Sequence, residues 1–470
     1  MKHLVISLLF SLVMATCLAE PPAILSLPDA VFLALRYNIS IKSAELDRTV
    51  QKFDLALAYH GFEPQYSLSG STNYTNSKAN GVNSITESYA LTPKASLKTG
   101  LGTEVNLTMN NGFDGYNYGQ SASLDITQPL LRGFGPAIAK LALFNAIDQE
   151  KIYQLSLKRL VTEQVKSVIT KYRQLLLDYN SLRISKLSLQ DSIDRTRRTE
   201  IEVKSGQMPG LDLLQSQASV PRQQLAVTQA ENQLSQDQND LLNLIGLQPD
   251  FKFTIPHDIE IKLVKPPSYE EAVKTALANN IDYQINKLNL KVTERALQKA
   301  EDNARWKLDL KANLGSGSIG TSGSAGSIFD GANNTRSIGL NLEIPLEKLQ
   351  LNKDIAAAKI NLQKAHMALA QQERSIQLEV INKLNDLKNR QQQIQLAIAS
   401  RDINAKVLNA EQIKLTHGRT PVFQVNLQQR DLIESEQQIV QNQISYLNAL
   451  VELQALLGTL LDEWEIKIRY

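Results

Sequence analysis

The sequence predicts a mixed α and β fold built twice over, each copy a set of short alternating strands set among very long helices. Three observations carry this. Ser205–Gly246 and His417–Gly458 align without a gap, with Gly206, Pro209, Gln217, Gln229 and Gly246 matched by Gly418, Pro421, Gln429, Gln441 and Gly458. Apolar residues recur every seventh position in both copies, the mark of helices that supercoil on their neighbours. Between the helical stretches lie runs in which every second residue is apolar, the period of a strand with one wet face.

The heptads run through Leu213, Val220, Val227, Leu234 and Leu241, which align with Val425, Leu432, Ile439, Tyr446 and Leu453. Upstream, Val161, Val168, Leu175, Leu182 and Leu189 keep the same spacing, as do Val380, Leu387, Ile394, Leu408 and Leu415 with Arg401 as an interruption. Helices are expected at about 28–60, 131–204 and 211–246 in a first repeat (20–250). A second repeat (268–470) holds helices at about 268–305, 347–416 and 421–460, after a linking segment at 251–267. The longest would reach on the order of 100 Å at about 1.5 Å per residue. Two shorter helices end to end match one long helix, which favours a tube over a compact core.

Strands are expected within 64–128 and 306–345. Trp306–Leu314 alternates cleanly, as do Ile338, Leu340, Leu342, Ile344 and Ala122, Leu124, Ile126. This pattern suits a membrane barrel with a wet interior and also a half-buried sheet in a soluble protein. The offset between the two copies drops by about 26 residues ahead of Gln128-Pro129-Leu130, the counterpart of Ile344-Pro345-Leu346, which signals an extra hairpin in the first repeat. Residues 89–110 supply it, as added strand length or, the favoured reading, as an extracellular flap. The Gly-, Ser- and Asn-rich stretch 315–334, with 75–88 and 110–120, is expected as exposed loops.

Lys2, the apolar run Leu4–Met14 and Cys17-Leu18-Ala19 form a signal peptide at 1–19. Simple removal is favoured over a lipid anchor on Cys17, because Thr16 is a poor residue to precede a lipidated cysteine. Cys17 is the sole cysteine, so the mature chain has neither disulfides nor thiolate metal sites. A net charge of +2 gives no bulk attraction to nucleic acid. No catalytic site, cofactor or metal is expected: the five histidines are scattered, and Gly315–Gly320, though it fits GxGxxG, is followed by more Gly and Ser instead of a helix.

The whole mature chain resembles the TolC-type outer membrane efflux family. The resemblance lies in the opening of each repeat, Leu27-Pro-Asp-Ala-Val-Phe-Leu-Ala-Leu-Arg-Tyr-Asn38 and Tyr269-Glu-Glu-Ala-Val-Lys-Thr-Ala-Leu-Ala-Asn-Asn280, in the Pro-Leu strand exits, and in the Gly-to-Pro turns Gly206–Pro209 and Gly418–Pro421. It implies a two-repeat TolC-like fold with four transmembrane β-strands per protomer in a shared 12-stranded trimeric barrel. A long periplasmic α-helical barrel would continue it. The implied function is an outer membrane channel of a tripartite efflux or type I secretion system of a Gram-negative bacterium, a passive duct gated at its periplasmic helix tips. The implied partners are two further copies, a periplasmic membrane-fusion adaptor, an inner-membrane pump or ABC transporter reached through the adaptor, and outer membrane lipid. Tips at Ser205–Leu211 and His417–Phe423 would dock the adaptor through Gly206, Gln207, Pro209, Gly418, Arg419 and Pro421. An acidic ring often narrows such entrances. Asp212 fits it, or is a helix-start carboxylate favourable to the dipole, while Gln424 and Leu427 hold the matching places in the second repeat, so the ring is reduced. The competing reading is a soluble periplasmic coiled-coil scaffold or adaptor, which leaves the twice-placed strands without a purpose; an outer membrane enzyme lacks a site.

Overall fold

The computed structural model describes residues 23–79, 82–114, 117–256, 264–321, 333–417 and 419–468. The signal peptide with Cys17, the tip residue Gly418, and parts of the 315–334 loop and the 251–267 segment lie outside the described residues. In chain order the elements are β1 (Ala23–Ile24), α1 (Leu27–Tyr37), α2 (Ile39–His60), β2 (Gln65–Ala79), β3 (Val82–Lys98), β4 (Glu104–Phe113), β5 (Asn117–Pro129), α3 (Pro136–Ala139), α4 (Leu141–Lys204) and α5 (Gly210–Ile245). Then come β6 (Phe253–Thr254), α6 (Tyr269–Asn279), α7 (Ile281–Asn303), β7 (Lys307–Thr321), β8 (Asn333–Glu343), α8 (Leu349–Thr416), α9 (Val422–Leu457) and α10 (Leu460–Glu463). Among the described residues no helix is long and apolar enough to cross a membrane.

Two compact units emerge. One holds β1, α1, α4 from Ser167, α5, β6, α8 from Gln392 and α9 as far as Asn448. The other holds α2, the strands β2–β5, β7 and β8, α4 up to Lys166, α6, α7, α8 up to Gln391 and the chain from Ala449.

In the first unit the heptad residues Val168 and Leu175 of α4 are fully buried, with Leu241, Leu242 and Ile245 of α5 and Ala30, Val31 and Ala34 of α1. Small alanines on α1 let its backbone approach its neighbours. The region expected as one helix over 28–60 is two, because Asn38 leaves the helical conformation (φ −59°, ψ 125°). The same break divides 268–305 at Asn280 (φ −60°, ψ 122°). Each asparagine sends its Nδ2–H across to a carbonyl of a later helix: Asn38 to Leu244 at 2.7 Å, Asn280 to Leu456 at 3.2 Å. The receiving helices end on Gly246 (φ +86°) and Gly458 (φ +72°), in the left-handed region that favours glycine. A Cβ on Gly246 would overlap the carbonyl of Tyr37, and one on Gly458 that of Asn279. The Asn and Gly markers of each repeat are therefore the two sides of one tight crossing, made once in each unit.

The long helix of the first repeat starts at Leu141, ten residues later than expected. Gly133 (φ +86°) and Gly135 (φ +95°) hold the chain out of helix after β5, and Pro136 opens the short α3. Asp302 accepts the Gly133 N–H at 2.9 Å, fixing that turn on the end of α7.

The second unit carries one antiparallel sheet in the order β2-β3-β4-β5-β7-β8. Six strands stand where the resemblance implied four, because the extra hairpin read at 89–110 enters the sheet as β3 and β4, full members between β2 and β5. The 75–88 segment, expected as a loop, continues the β2–β3 ladder, and β7 runs on to Thr321 opposite Asn117. The hairpin at 89–110 is not an extracellular flap. Its turn, Thr99–Thr103, lies at the helix end of the sheet, where Leu101 accepts the Gly135 N–H at 3.1 Å. A Cβ on Gly102 would sit 2.6 Å from the Gly133 carbonyl, so the turn is packed tightly against that loop.

Register places all apolar alternates on one face. Leu107 pairs with Ala95 and Leu124, Val105 with Leu97 and Ile126, Leu124 with Leu314, and Leu310 with Leu340. That face is open to the surroundings: Leu68, Leu91, Leu107, Leu314, Ile338, Leu340 and Leu342 are all exposed. Tyr89, Phe113 and Tyr118 form a cross-strand aromatic row near the end away from the helices. The opposite face is polar. Asn313 donates to Asp125 at 2.6 Å, and Lys307 stands 3.6 Å from the buried Asp309.

Candidate functional site: the helix tips

Both helix turns belong to the first unit and are built alike. The α4 helix ends at Lys204, Gly206 takes φ +75° in open space, and the Gln207 N–H closes back on the Glu202 carbonyl at 2.9 Å. In the second repeat the Arg419 N–H makes the same bond to the Lys414 carbonyl at 2.9 Å. Each next helix starts after a proline: the Asp212 N–H bonds the Pro209 carbonyl and the Gln424 N–H the Pro421 carbonyl, both at 3.1 Å. Proline suits that place because its φ is already set and its missing N–H has no helical partner to lose.

Gly206, Gln207, Pro209, Arg419 and Pro421 are exposed, and Asp212, Gln424 and Leu427 are half-buried on the first turns of α5 and α9. Among the described residues, no hydrogen bond or ion pair joins the side chains of Asp212, Gln424 and Leu427. Lys204 pairs with Glu200 at 2.7 Å and Lys414 with Glu411 at 2.6 Å, so each long helix ends on a cation that complements its dipole. The Lys414 ammonium, followed by Thr420, holds the Glu411 carboxyl below its ordinary range. Ile201 and Leu211 are exposed at one tip, and Ile413 and Phe423 at the equivalent places of the other. This matched apolar pair escaped the sequence reading, which followed the glycines and prolines; the gap-free alignment that pairs Leu211 with Phe423 contained the signal.

Above the tips, polar contacts tie each long helix to the next. Ser192 meets Ser219 at 2.5 Å in the first repeat, and the equivalent Asn404 donates to the Asp431 carbonyl at 3.2 Å in the second. Farther along, Lys171 bridges Asp237 and Asp240 at 2.9 and 2.8 Å. Beside it the buried Asp178 is pushed up to about 7, first by burial and then by the Asp237 carboxylate. Heptad reading passes over such residues, since it records apolar positions only.

Residues 272–459 match the outer membrane efflux protein family. The fold agrees with solved structures over nearly the full length of the chain. It superposes on the channel CusC with a TM-score of 0.71 at 16% identity, covering 92% of each chain. VceC of Vibrio cholerae gives 0.70 at 14% identity, covering 92% of this chain and 96% of that one. CmeC of Campylobacter jejuni gives 0.70 at 14%, covering 92% and 86%. No curated protein matches the sequence. Among the described residues, no cluster of three or more His, Cys, Asp or Glu side chains is placed to hold a metal ion.

Proposed function

We propose that this chain is the outer membrane channel of a tripartite efflux or type I secretion system, working as a passive, gated duct. The observation that carries the reading is the sheet. One face is apolar, exposed on β2, β3, β4, β7 and β8 and half-buried on β5, the other is polar, and each strand has at least 10 residues. A strand tilted in a bilayer needs about 9–11. An apolar face of that extent open to water would be a liability, whereas against lipid it is the outer wall of a barrel. The soluble scaffold or adaptor offers no use for it.

On this reading three copies share the barrel, and the helical part stands in the periplasm. Energy comes from an inner-membrane pump or ABC transporter through a membrane-fusion adaptor. The adaptor seats on the tips through Gly206, Gln207, Pro209, Gly418, Arg419 and Pro421, with Ile201, Leu211, Ile413 and Phe423 as apolar anchors. Asp212, Gln424 and Leu427 flank the entrance, and opening is a repacking of the helix pairs between two arrangements. With one carboxylate per protomer at that level, the entrance binds cations weakly.

Fractionation tests the reading. The protein stays with the outer membrane through high-salt and alkaline washes and leaves it in detergent as a trimer. Release by salt alone would sink it.

A further inference from the structure

We infer that β3 and β4 are membrane-spanning wall strands, so that a trimer closes a barrel of three times six strands, eighteen in all. The inference rests on the shared-barrel reading above and goes beyond it, since the resemblance implied twelve. Three features of the hairpin carry it.

The first is the ladder. β3 pairs with β2 from Gln65↔Ser96 to Ala79↔Val82, and β4 pairs with β5 from Glu104↔Thr127 to Phe113↔Tyr118. A flap or a plug folded into the lumen would have to give up both ladders and bring β2 directly onto β5. The β3–β4 ladder itself skips a step at Pro93, which lacks the N–H, and resumes on both sides.

The second is chemistry. Leu91 on β3 and Leu107 on β4 face the same side as Leu124 and Leu340, and both are exposed there. Lys94 and Asn106 face the polar side, in step with Asp125. A hairpin in water has no reason to keep this alternation in register with the lipid face of its neighbours.

The third is direction. Every adjacent pair in the sheet is antiparallel, so the edges β2 and β8 run in opposite senses. The β8 edge of one protomer can therefore meet the β2 edge of the next as an antiparallel pair, which a two-strand insertion preserves and a one-strand insertion would destroy. Barrel diameter grows roughly in proportion to strand number, so the membrane bore would be about 1.5 times that of a twelve-stranded barrel. Hydrated or bulky cargo then meets its tightest passage elsewhere than in the membrane.

Tryptophan quenching in vesicles of brominated phosphatidylcholine tests the wall, using the full-length trimer with Trp306→Phe and Trp464→Phe as background. Leu107→Trp and the more conservative Tyr89→Trp are expected to lose emission as fully as Leu340→Trp on β8, while Asn106→Trp keeps its emission. Quenching at Leu340→Trp without quenching at Leu107→Trp and Tyr89→Trp overturns the inference and leaves the channel reading standing. Loss at Asn106→Trp equal to that at Leu107→Trp also overturns it, because a wall strand has one wet face. No quenching at Leu340→Trp would instead overturn the channel reading, and this inference with it. Electron microscopy of the unsubstituted trimer in lipid discs gives a second measure: eighteen strands support the inference, and twelve refute it.

Discussion

The two repeats agree wherever the backbone leaves room for one residue type and part company wherever a side chain merely fills space. At the crossing, Asn38 with Gly246 and Asn280 with Gly458 make the same pair of contacts. At the tips, the bonds from Gln207 and Arg419 match, as do those from Asp212 and Gln424. One ion pair is also repeated, Lys171–Asp240 and Lys383–Glu452. The differences lie between these fixed points. The first repeat gives four strands to the sheet and the second two. The carboxyl pair Asp178 and Asp237 is replaced by Arg390 and Ala449. Proline stands at 221 within α5 where the second repeat has Ile433.

Gly246→Ala and Gly458→Ala test the shared crossing and carry the largest effect. Each adds a Cβ against a backbone carbonyl and holds alanine in the left-handed region, which costs about 3 kcal/mol or more once the clash is included. Both variants should show a steep fall in trimer yield and in thermal stability, by similar amounts. A tolerated alanine at either place would mean the two crossings are not equivalent.

Asn38→Ala and Asn280→Ala come next. Removing the donor leaves the Leu244 or Leu456 carbonyl short of a bond, worth about 1–2 kcal/mol. Asn280 also caps α7 by accepting the Tyr283 N–H at 3.0 Å, so its loss adds about 1 kcal/mol more. Thermal unfolding in detergent should show a total loss of about 2–3 kcal/mol for Asn280→Ala. A loss of only about 1 kcal/mol would show that the cap contributes nothing.

These positions also mark how far the sequence could be read. Asn38, Gly246, Asn280 and Gly458 stood out as repeated letters, and so did the heptads, because backbone geometry and burial each restrict residue choice strongly. The two helix breaks did not stand out, since Asn38 and Asn280 sit inside unbroken helical periodicity and act through partners about two hundred residues away. The hairpin at 89–110 was visible as alternation, but alternation alone does not say which end of a sheet a turn occupies. That was decided by Gly102 and Leu101 against the Gly133–Gly135 loop. At the tips, the turns were legible from Gly206, Pro209 and Pro421, while residue type alone did not mark Ile201 and Phe423 as exposed.

Asp178 distinguishes the repeats by pH. Its carboxyl is raised from an ordinary 3.8 to about 7, by burial first and by Asp237 second. The folded protein then keeps a proton that the unfolded chain releases, so this contribution to stability is present at acidic pH and is lost as pH rises through about 7. Asp178→Asn removes the dependence while still accepting from Gln174. Between pH 5 and pH 8 the variant should lose less melting temperature than the parent, by on the order of a degree or two. An unchanged pH slope would place the ionisation elsewhere.

The repeated ion pair offers the smallest and most discriminating change. Lys383 and Glu452 are partly exposed, at 28% and 49%, so Lys383→Met should shift stability by less than about 1 kcal/mol. Lys171 also faces Asp237, which is only 7% exposed and would be left without its cation. Lys171→Met should therefore cost more than Lys383→Met, about 1 kcal/mol, even though the two lysines occupy the same place in their repeats. Introducing Asp178→Asn into Lys171→Met should narrow the gap, because the amide carries no charge beside the Asp237 carboxylate and can donate to it. Equal costs for the two lysines would mean that Asp237 draws its support from other groups, and that the first repeat's carboxyl pair is a passenger on an otherwise identical helix crossing.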